Sequence, residues 1–238
     1  MTRLQGKIAI VTGASEGVGA GIARHLGTEG AAVVVNYAKD AQRANRVAAD
    51  IVAAGGRAVA LHGNASKAED VKRIFRIAAD AFGKPDVVVN AGVFPFFSID
   101  TASDVDAHRQ FDVDVFGTFL MCQEAARQFG DNGGVIINMS SVGSRDLAPG
   151  RVTRPATKGV VETLTLGLSH ELGPRGIRVI AIDPGDFDTA GRSEPGAAEE
   201  IMQHVICPVP WRRTGKPTDA AAFNKSKQLV VSAGWRGW

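Results

Sequence analysis

The sequence contains little of what marks disulfide-rich, metal-binding, membrane or nucleic-acid-binding proteins. Of its 238 residues only two are cysteine, Cys122 and Cys207, which are too few for a disulfide scaffold and lack paired metal-ligand spacing. No apolar run approaches the roughly 20 residues that a membrane helix needs. The 27 lysines and arginines are balanced by 25 acidic residues, so no basic excess is present to bind a nucleic-acid backbone. The polar start does not resemble a signal peptide. We therefore expect a cytoplasmic protein without a metal, nucleic-acid or membrane partner.

Short apolar runs alternate along the chain with longer segments in which apolar residues recur at helical spacing. The short runs are almost wholly apolar, which is typical of strands covered by helices on both faces. The predicted strands are residues 7–12, 32–36, 58–61, 86–90, 135–139 and 177–182. The predicted helices are residues 19–29, 42–54, 67–82, 106–129 and 160–172, with Ser66 and Glu69 as a capping box at the third. This alternation predicts an α/β fold: a single doubly wound parallel sheet (Rossmann) in three αβα layers.

A glycine-rich segment follows the first predicted strand and opens the first predicted helix. Gly13, Gly17 and Gly19 lie in the sequence TGASEGVG. Glycine at these places allows a tight turn, the close approach of a pyrophosphate, and close packing of the helix against the strand. The backbone N–H groups of the turn, which also contains Ser15 and Val18, then face the anion at the helix N-terminus. The segment predicts a dinucleotide-binding site.

Four further motifs follow the glycine-rich segment in order. Asn90-Ala91-Gly92 comes after the fourth predicted strand, and the fifth ends in INMSS at 137–141. Asp183-Pro184-Gly185 with Thr189 comes next, and RTGKP ends at 217. With these motifs the chain resembles the short-chain dehydrogenase/reductase family over residues 6–219. The resemblance implies hydride transfer between a nicotinamide dinucleotide and a small-molecule alcohol or ketone. It also implies a homodimer or homotetramer, assembled through the helices at 106–129 and 160–172.

The resemblance places the residues that select the cofactor at the end of the second strand. Family members that use NAD carry an acid there, and this chain has Tyr37, followed by Lys39 as either a phosphate ligand or a solvated loop residue. Glu16 instead disfavours NADP(H), because family members that use NADP often carry Arg or Lys at its position. On balance NADP(H) is favoured over NAD(H). The other cofactor-binding positions implied by the family are Asn64, Asn90, Ala91, Gly92, Lys158, Pro184, Gly185, Phe187 and Thr189.

The family's catalytic set is a serine, a tyrosine, a lysine and an asparagine. Ser141 and Lys158 match the serine and the lysine, but the tyrosine position holds Arg154 and the asparagine position holds Asp114. The only tyrosine is Tyr37, at the adenosine end, so no shift of register supplies another. Arginine stays protonated at neutral pH, so it can stabilise an oxyanion but cannot shuttle a proton. These four positions nevertheless form the predicted catalytic cluster.

Three functions stay open at this point. The first is an NADP(H)-dependent oxidoreductase acting on a small alcohol or ketone, with water or His108 as the proton source. The second is a cofactor-binding protein without redox turnover, which the departures at Arg154 and Asp114 favour. The third is an isomerase or lyase that uses the cationic Ser/Arg/Lys pocket.

Domain organisation follows from the same pattern, which shows no linker or internal repeat before residue 183. Residues 1–238 are predicted to form one dinucleotide-binding Rossmann domain. Within it, residues 190–210 are predicted to form a substrate loop or lid. Residues 220–238 are predicted to be an atypical, shortened C-terminal tail. Residues 228–234 are interpreted as a remnant of the family's final strand and end, and the stretch before them is too short for the full helix and loop that the family carries there.

Overall fold

The computed structural model describes residues 2–92, 97, 99–141, 144 and 152–184. Within them lies one six-stranded parallel sheet in the order β3-β2-β1-β4-β5-β6. The strands are β1 (Ile8–Val11), β2 (Ala32–Tyr37), β3 (Arg57–His62), β4 (Val87–Asn90), β5 (Gly134–Met139) and β6 (Ile177–Ile182). All six predicted strands are present within two residues of their predicted bounds. The sheet and its helices confirm the predicted fold class.

The helices cross between consecutive strands on the two faces of the sheet. They are α1 (Gly17–Thr28), α2 (Ala41–Ala53), α3 (Ala68–Phe82), α4 (Asp104–Phe111), a π-helical turn (Asp112–Phe116), α5 (Gly117–Phe129) and α6 (Thr153–Leu172). Short 3₁₀ turns follow α5 at Gly130–Asn132 and α6 at Gly173–Arg175. None of the helices in the described residues has both the length and the apolar character that crossing a membrane requires.

Two apolar cores, one on each face of the sheet, explain why the strands are apolar throughout. Val11, Val33 and Val35 point into the core beneath α1 and α2. The alternate residues, such as Ile10 and Val34, point into the core beneath α3 and α5. Because successive side chains of a strand face opposite sides, burying both sides requires an uninterrupted apolar run.

The strand order positions the site. All carboxyl ends of the strands lie at one edge, and the direction in which the chain moves through the sheet reverses between β1 and β4. Crevices of this kind, at the carboxyl edge beside the reversal, are where ligands bind in open α/β sheets.

Two predicted helix starts and one predicted cap differ from the structure in ways that have a physical reason. The helix predicted at 106–129 begins at Asp104 and contains the π-helical turn, whose single extra residue hardly disturbs the apolar spacing. The helix predicted from residue 160 begins at Thr153, since its first two turns bury polar residues that apolar spacing does not detect. The capping box is wrong: the hydroxyl of Ser66 donates to Asn64 Oδ1 at 2.9 Å, and no side chain caps α3.

Candidate active site

The glycine-rich turn between β1 and α1 leaves no room for side chains at two positions. A Cβ on Gly13 would lie 2.0 Å from the carbonyl oxygen of Ala91, and one on Gly19 would lie 2.4 Å from that of Gly13. Gly13 and Gly17 also have φ angles of +57° and +58°, which favour glycine. The turn is therefore pressed against the end of β4, as a nucleotide cradle requires.

The N-terminus of α1 is open to an anion. Glu16 occupies the N-cap position, but its side chain makes no capping hydrogen bond to the helix. The N–H groups of the first helical turn have no partner within the helix, and they carry the positive end of its dipole. Ser15 and Val18 are half-buried in this turn. A pyrophosphate fits these features, so the residues present suit a dinucleotide.

The end of β4 is locked by a buried chain of amides. Asn90 donates to Asn138 Oδ1 at 2.9 Å, and Asn138 donates to the hydroxyl of Thr165 on α6 at 2.9 Å. Cys122 lies against both asparagines, and burial raises the pKa of its thiol to about 12. This thiol is therefore inert, and the amide chain fixes the position of Ala91 and Gly92.

At the adenosine end the structure reveals a residue that the sequence reasoning missed. Arg43 of α2 forms ion pairs with Glu16 and with Asp40, whose Oδ2 lies 3.1 Å from its Nε. Lys39 is exposed, and the ring of Tyr37 packs edge-on against that of His62 at 5.5 Å. Glu16 and Arg43 are 27 positions apart, so nothing in the sequence indicates their contact.

Asn64 takes part in a local turn beyond β3. Its Oδ1 accepts hydrogen bonds from both the N–H and the hydroxyl of Ser66, and its own N–H donates to Asp70 Oδ2 at 2.9 Å. Arg73 binds the other oxygen of Asp70, and these hydrogen bonds lower the pKa of the Asp70 carboxyl. The turn holds Asn64 at the carboxyl edge of the sheet.

Asp114 and Lys158 are the centre of the candidate catalytic cluster. Lys158 Nζ lies 3.2 Å from Asp114 Oδ1, and the hydroxyl of Thr157 donates to Asp114 Oδ2 at 3.0 Å. The two charged side chains are 4% and 1% exposed, so the ion pair is almost closed off from water. A Cβ on Gly92 would lie 3.1 Å from Asp114 Oδ1, which places the pair directly beside the end of β4.

The helix α6 brings Arg154 to the same cluster. Arg154 lies one turn before Lys158, and its carbonyl oxygen lies 2.9 Å from the hydroxyl of Thr157. Burial lowers the pKa of Lys158; Asp114 opposes this shift, and the nearby charge of Arg154 adds to it. A lysine whose pKa is lowered is a better proton donor near neutral pH than an ordinary one.

The end of β5 is attached to α6 next to this cluster. The hydroxyl of Ser140 donates to Glu162 at 2.8 Å and contacts the carbonyl of Lys158 at 3.2 Å. Ser141, the predicted catalytic serine, follows at the carboxyl edge of the sheet and is half-buried. Its carbonyl accepts hydrogen bonds from the N–H and hydroxyl of Ser144.

Some predicted site residues cannot be placed in the same way. Pro184 is half-buried just beyond β6. Gly185, Phe187, Thr189, the predicted lid at 190–210 and the predicted tail at 220–238 lie outside the described residues. His108, the alternative proton source, is exposed on α4.

Comparison with known proteins gives this site a family. The family model for short chain dehydrogenases matches residues 7–200. An uncharacterised oxidoreductase of Methylorubrum extorquens is 41% identical over 93% of this chain and 90% of its own length. A 3beta-hydroxysteroid dehydrogenase of Eggerthella lenta is 39% identical over 92% of this chain and 85% of its own length.

Solved structures similar to this chain belong to the same family. A short-chain dehydrogenase from Burkholderia cenocepacia in complex with NADP superposes with a TM-score of 0.84. It is 36% identical and covers 92% of this chain, which in turn covers 89% of it. A short-chain dehydrogenase/reductase from Serratia marcescens superposes with a TM-score of 0.83 at 36% identity, with the same coverage of both chains. The chain therefore belongs to the short-chain dehydrogenase/reductase family of oxidoreductases.

Proposed function

We propose that the protein is an NADP(H)-dependent oxidoreductase acting on a small alcohol or ketone. The observation that carries the proposal is the position of Lys158. This buried lysine pairs with Asp114, which lies beside Gly92, at the same sheet edge as a glycine turn that suits a pyrophosphate. The Burkholderia relative bound to NADP supports the choice of cofactor class.

The bound nicotinamide supplies the hydride, and this chain's own residues handle the substrate oxygen. Arg154 remains protonated and donates hydrogen bonds to the oxyanion that develops when the carbonyl is reduced. The hydroxyl of Ser141 donates a second one. Gly13, Gly17 and Gly19 hold the pyrophosphate, and Asn90, Ala91 and Gly92 line the adenosine side.

The proton that completes the alcohol needs a donor other than Arg154. Lys158 is placed for this role, because its ammonium is buried beside Arg154 and its pKa is lowered. Asp114 keeps this ammonium charged and directed toward the π-helical turn until a substrate arrives. Exposed His108 has no comparable placement.

The alternatives without redox turnover are less well supported. The relatives above are named as oxidoreductases and dehydrogenases, which favours hydride transfer over isomerase or lyase chemistry. The experiment therefore has to distinguish an oxidoreductase from a protein that binds the cofactor without turnover.

The experiment is transfer of a labelled hydride. NADPH carrying deuterium at the nicotinamide C4 is incubated with the protein and a panel of small ketones, and the alcohol products are examined by mass spectrometry. The proposal predicts a product one mass unit heavier for at least one ketone. If NADPH binds but no product forms with any of them, the protein only binds the cofactor.

A further inference from the structure

Arg43 lies between two carboxylates at the adenosine end of the site. Its Nη1 pairs with Glu16, and its Nε lies 3.1 Å from Asp40 Oδ2. All three side chains are about half exposed, so a ligand can reach them. The inference drawn from this cluster rests on the proposed function, because it concerns how the protein recognises NADP(H).

The fold brings these residues together beside the glycine turn, at the sheet edge where dinucleotide-binding folds hold the adenosine ribose. Glu16 begins α1 and Asp40 begins α2, and these helices follow the neighbouring strands β1 and β2. The N–H of Ala14 donates to the carbonyl of Asn36 at 3.0 Å, which joins the two turns. In dinucleotide-binding folds an acid beyond the second strand binds the ribose 2′-hydroxyl, whereas a nearby arginine accommodates a 2′-phosphate.

The two partners of Arg43 differ in how firmly they are attached to it. Asp40 belongs to the same helix, where its Oδ1 also caps the N–H of Arg43 at 2.9 Å. Glu16 comes from a different element and reaches the guanidinium across the surface. A guanidinium binds phosphate through two parallel hydrogen bonds, so an arriving phosphate competes with Glu16 while Asp40 keeps the side chain in place.

We propose that Arg43 is a ligand of the 2′-phosphate of NADP(H), and that Glu16 is an internal competitor for the same guanidinium. Glu16 holds Arg43 before the nucleotide binds and gives way to the 2′-phosphate. The pair thereby sets how strongly the protein prefers NADP(H) to NAD(H). An acid in the glycine turn, which taken alone disfavours NADP(H), is neutralised by a contact that the sequence does not show.

The test is a binding titration that does not depend on turnover. NADPH and NADH are titrated by fluorescence into the native protein, Glu16→Gln, Arg43→Gln and the double variant. We expect Glu16→Gln to tighten NADPH binding about five-fold, the size of an exposed ion pair. We expect Arg43→Gln to weaken it by about ten-fold or more, as for a charged hydrogen bond. NADH affinity should change less than about two-fold, because NADH lacks the phosphate that Arg43 binds.

Matched variants control for net charge. Glu29→Gln removes an acid from the other end of α1, and Arg46→Gln removes an exposed arginine one turn along α2. Neither is expected to change the ratio of NADPH to NADH affinity.

The double variant distinguishes two roles of Arg43: binding the 2′-phosphate directly, or only neutralising the charge of Glu16. If Arg43 binds the phosphate, the double variant binds NADPH more weakly than Glu16→Gln does. If the two have equal NADPH affinity, Arg43 is not a ligand and the inference is overturned while the proposed function stands. If neither NADPH nor NADH binds the native protein or any variant, both the inference and the proposed function are overturned.

Discussion

Lys158 and Asp114 carry opposite charges in a part of the molecule that water hardly reaches. Each charge loses its hydration on folding, and each depends on the other to offset that loss. Thr157 supplies the remaining oxygen of Asp114 with a hydrogen bond, so the carboxylate is fully engaged. The arrangement therefore constrains both the stability of the site and the protonation of its lysine.

Asp114→Asn tests this pair. The amide cannot compensate the charge of the ammonium, so we expect a loss of about 3–5 kcal/mol in the free energy of unfolding at pH 7. Since Asp114 raises the pKa of Lys158 against burial, the variant's lysine has a still lower pKa. In the unfolded chain the pKa of Lys158 has its ordinary value of 10.5, which is above its value in the folded variant. The added cost in the free energy of unfolding is therefore present in full below the folded pKa, and it disappears as pH rises toward 10.5.

Urea unfolding at pH 7 and at pH 9.5 measures both effects. The deficit of Asp114→Asn should shrink at the higher pH. Asp112→Asn, an exposed acid two positions away in the same π-helical turn, is the control and should be near neutral at both pH values. A deficit that is the same at both pH values would contradict the coupling to Lys158.

The strands were predictable from the sequence, whereas the start of α6, which carries Arg154 and Lys158, was not. Strands such as β2 are buried on both faces, and this leaves an apolar run that the sequence displays directly. The start of α6 is different, because Thr157 and Lys158 are buried although they are polar. Their burial depends on Asp114 in another helix, so local apolar spacing could not indicate it.

The candidate site also has one part that the sequence predicts and another that it does not. The glycine turn was predictable because its steric requirement is local, as the Cβ contacts at Gly13 and Gly19 show. The resemblance to the family placed Asp114 and Lys158 in one predicted cluster, and the pairing of Glu16 with Arg43 was missed. Both contacts join separate elements, and a sequence does not give distances between elements.

Thr157→Val tests how α6 is attached to the π-helical turn. The substitution keeps the shape of the side chain but removes the hydroxyl that donates to Asp114. We expect a loss of about 1–3 kcal/mol, because a buried carboxylate oxygen is left without its donor. Thr163→Val on the same helix is the matched control: its hydroxyl is exposed and bonds only a backbone carbonyl. Equal effects of the two substitutions in chemical denaturation would show that the Asp114 contact contributes nothing.

The face formed by α5, the π-helical turn and α6 exposes large apolar side chains. Phe116 and Phe119 stack with ring centroids 6.4 Å apart and are 51% and 40% exposed. Val160 and Leu166 are similarly exposed on α6, and Val160 lines a shallow groove with Ala156, Gly159 and Thr163. Large apolar side chains exposed on neighbouring helices are typical of interaction surfaces, and we propose that a second copy of the chain covers this face in a homodimer or homotetramer.

Light scattering coupled to gel filtration checks this proposal. The native protein should have the mass of two or four chains, and Phe119→Asp should shift it toward a single chain, because a buried unpaired charge opposes association. Val52→Asp places the same charge on an exposed apolar residue of α2, on the opposite face of the sheet, and should leave the mass unchanged. A native protein with the mass of one chain would contradict the proposal.

We propose that this chain reduces a carbonyl with NADPH although Arg154 stands four residues before Lys158. NADPH consumption with a panel of small ketones, by the native protein, Arg154→Met and Arg154→Tyr, tests this. We expect turnover by the native protein, and a loss of about 100-fold in Arg154→Met, which removes an oxyanion donor. The proposed reaction would be wrong if the native protein binds NADPH without consuming it and turnover appears only in Arg154→Tyr. That result would mean that the fold has kept its cofactor site and lost its acid.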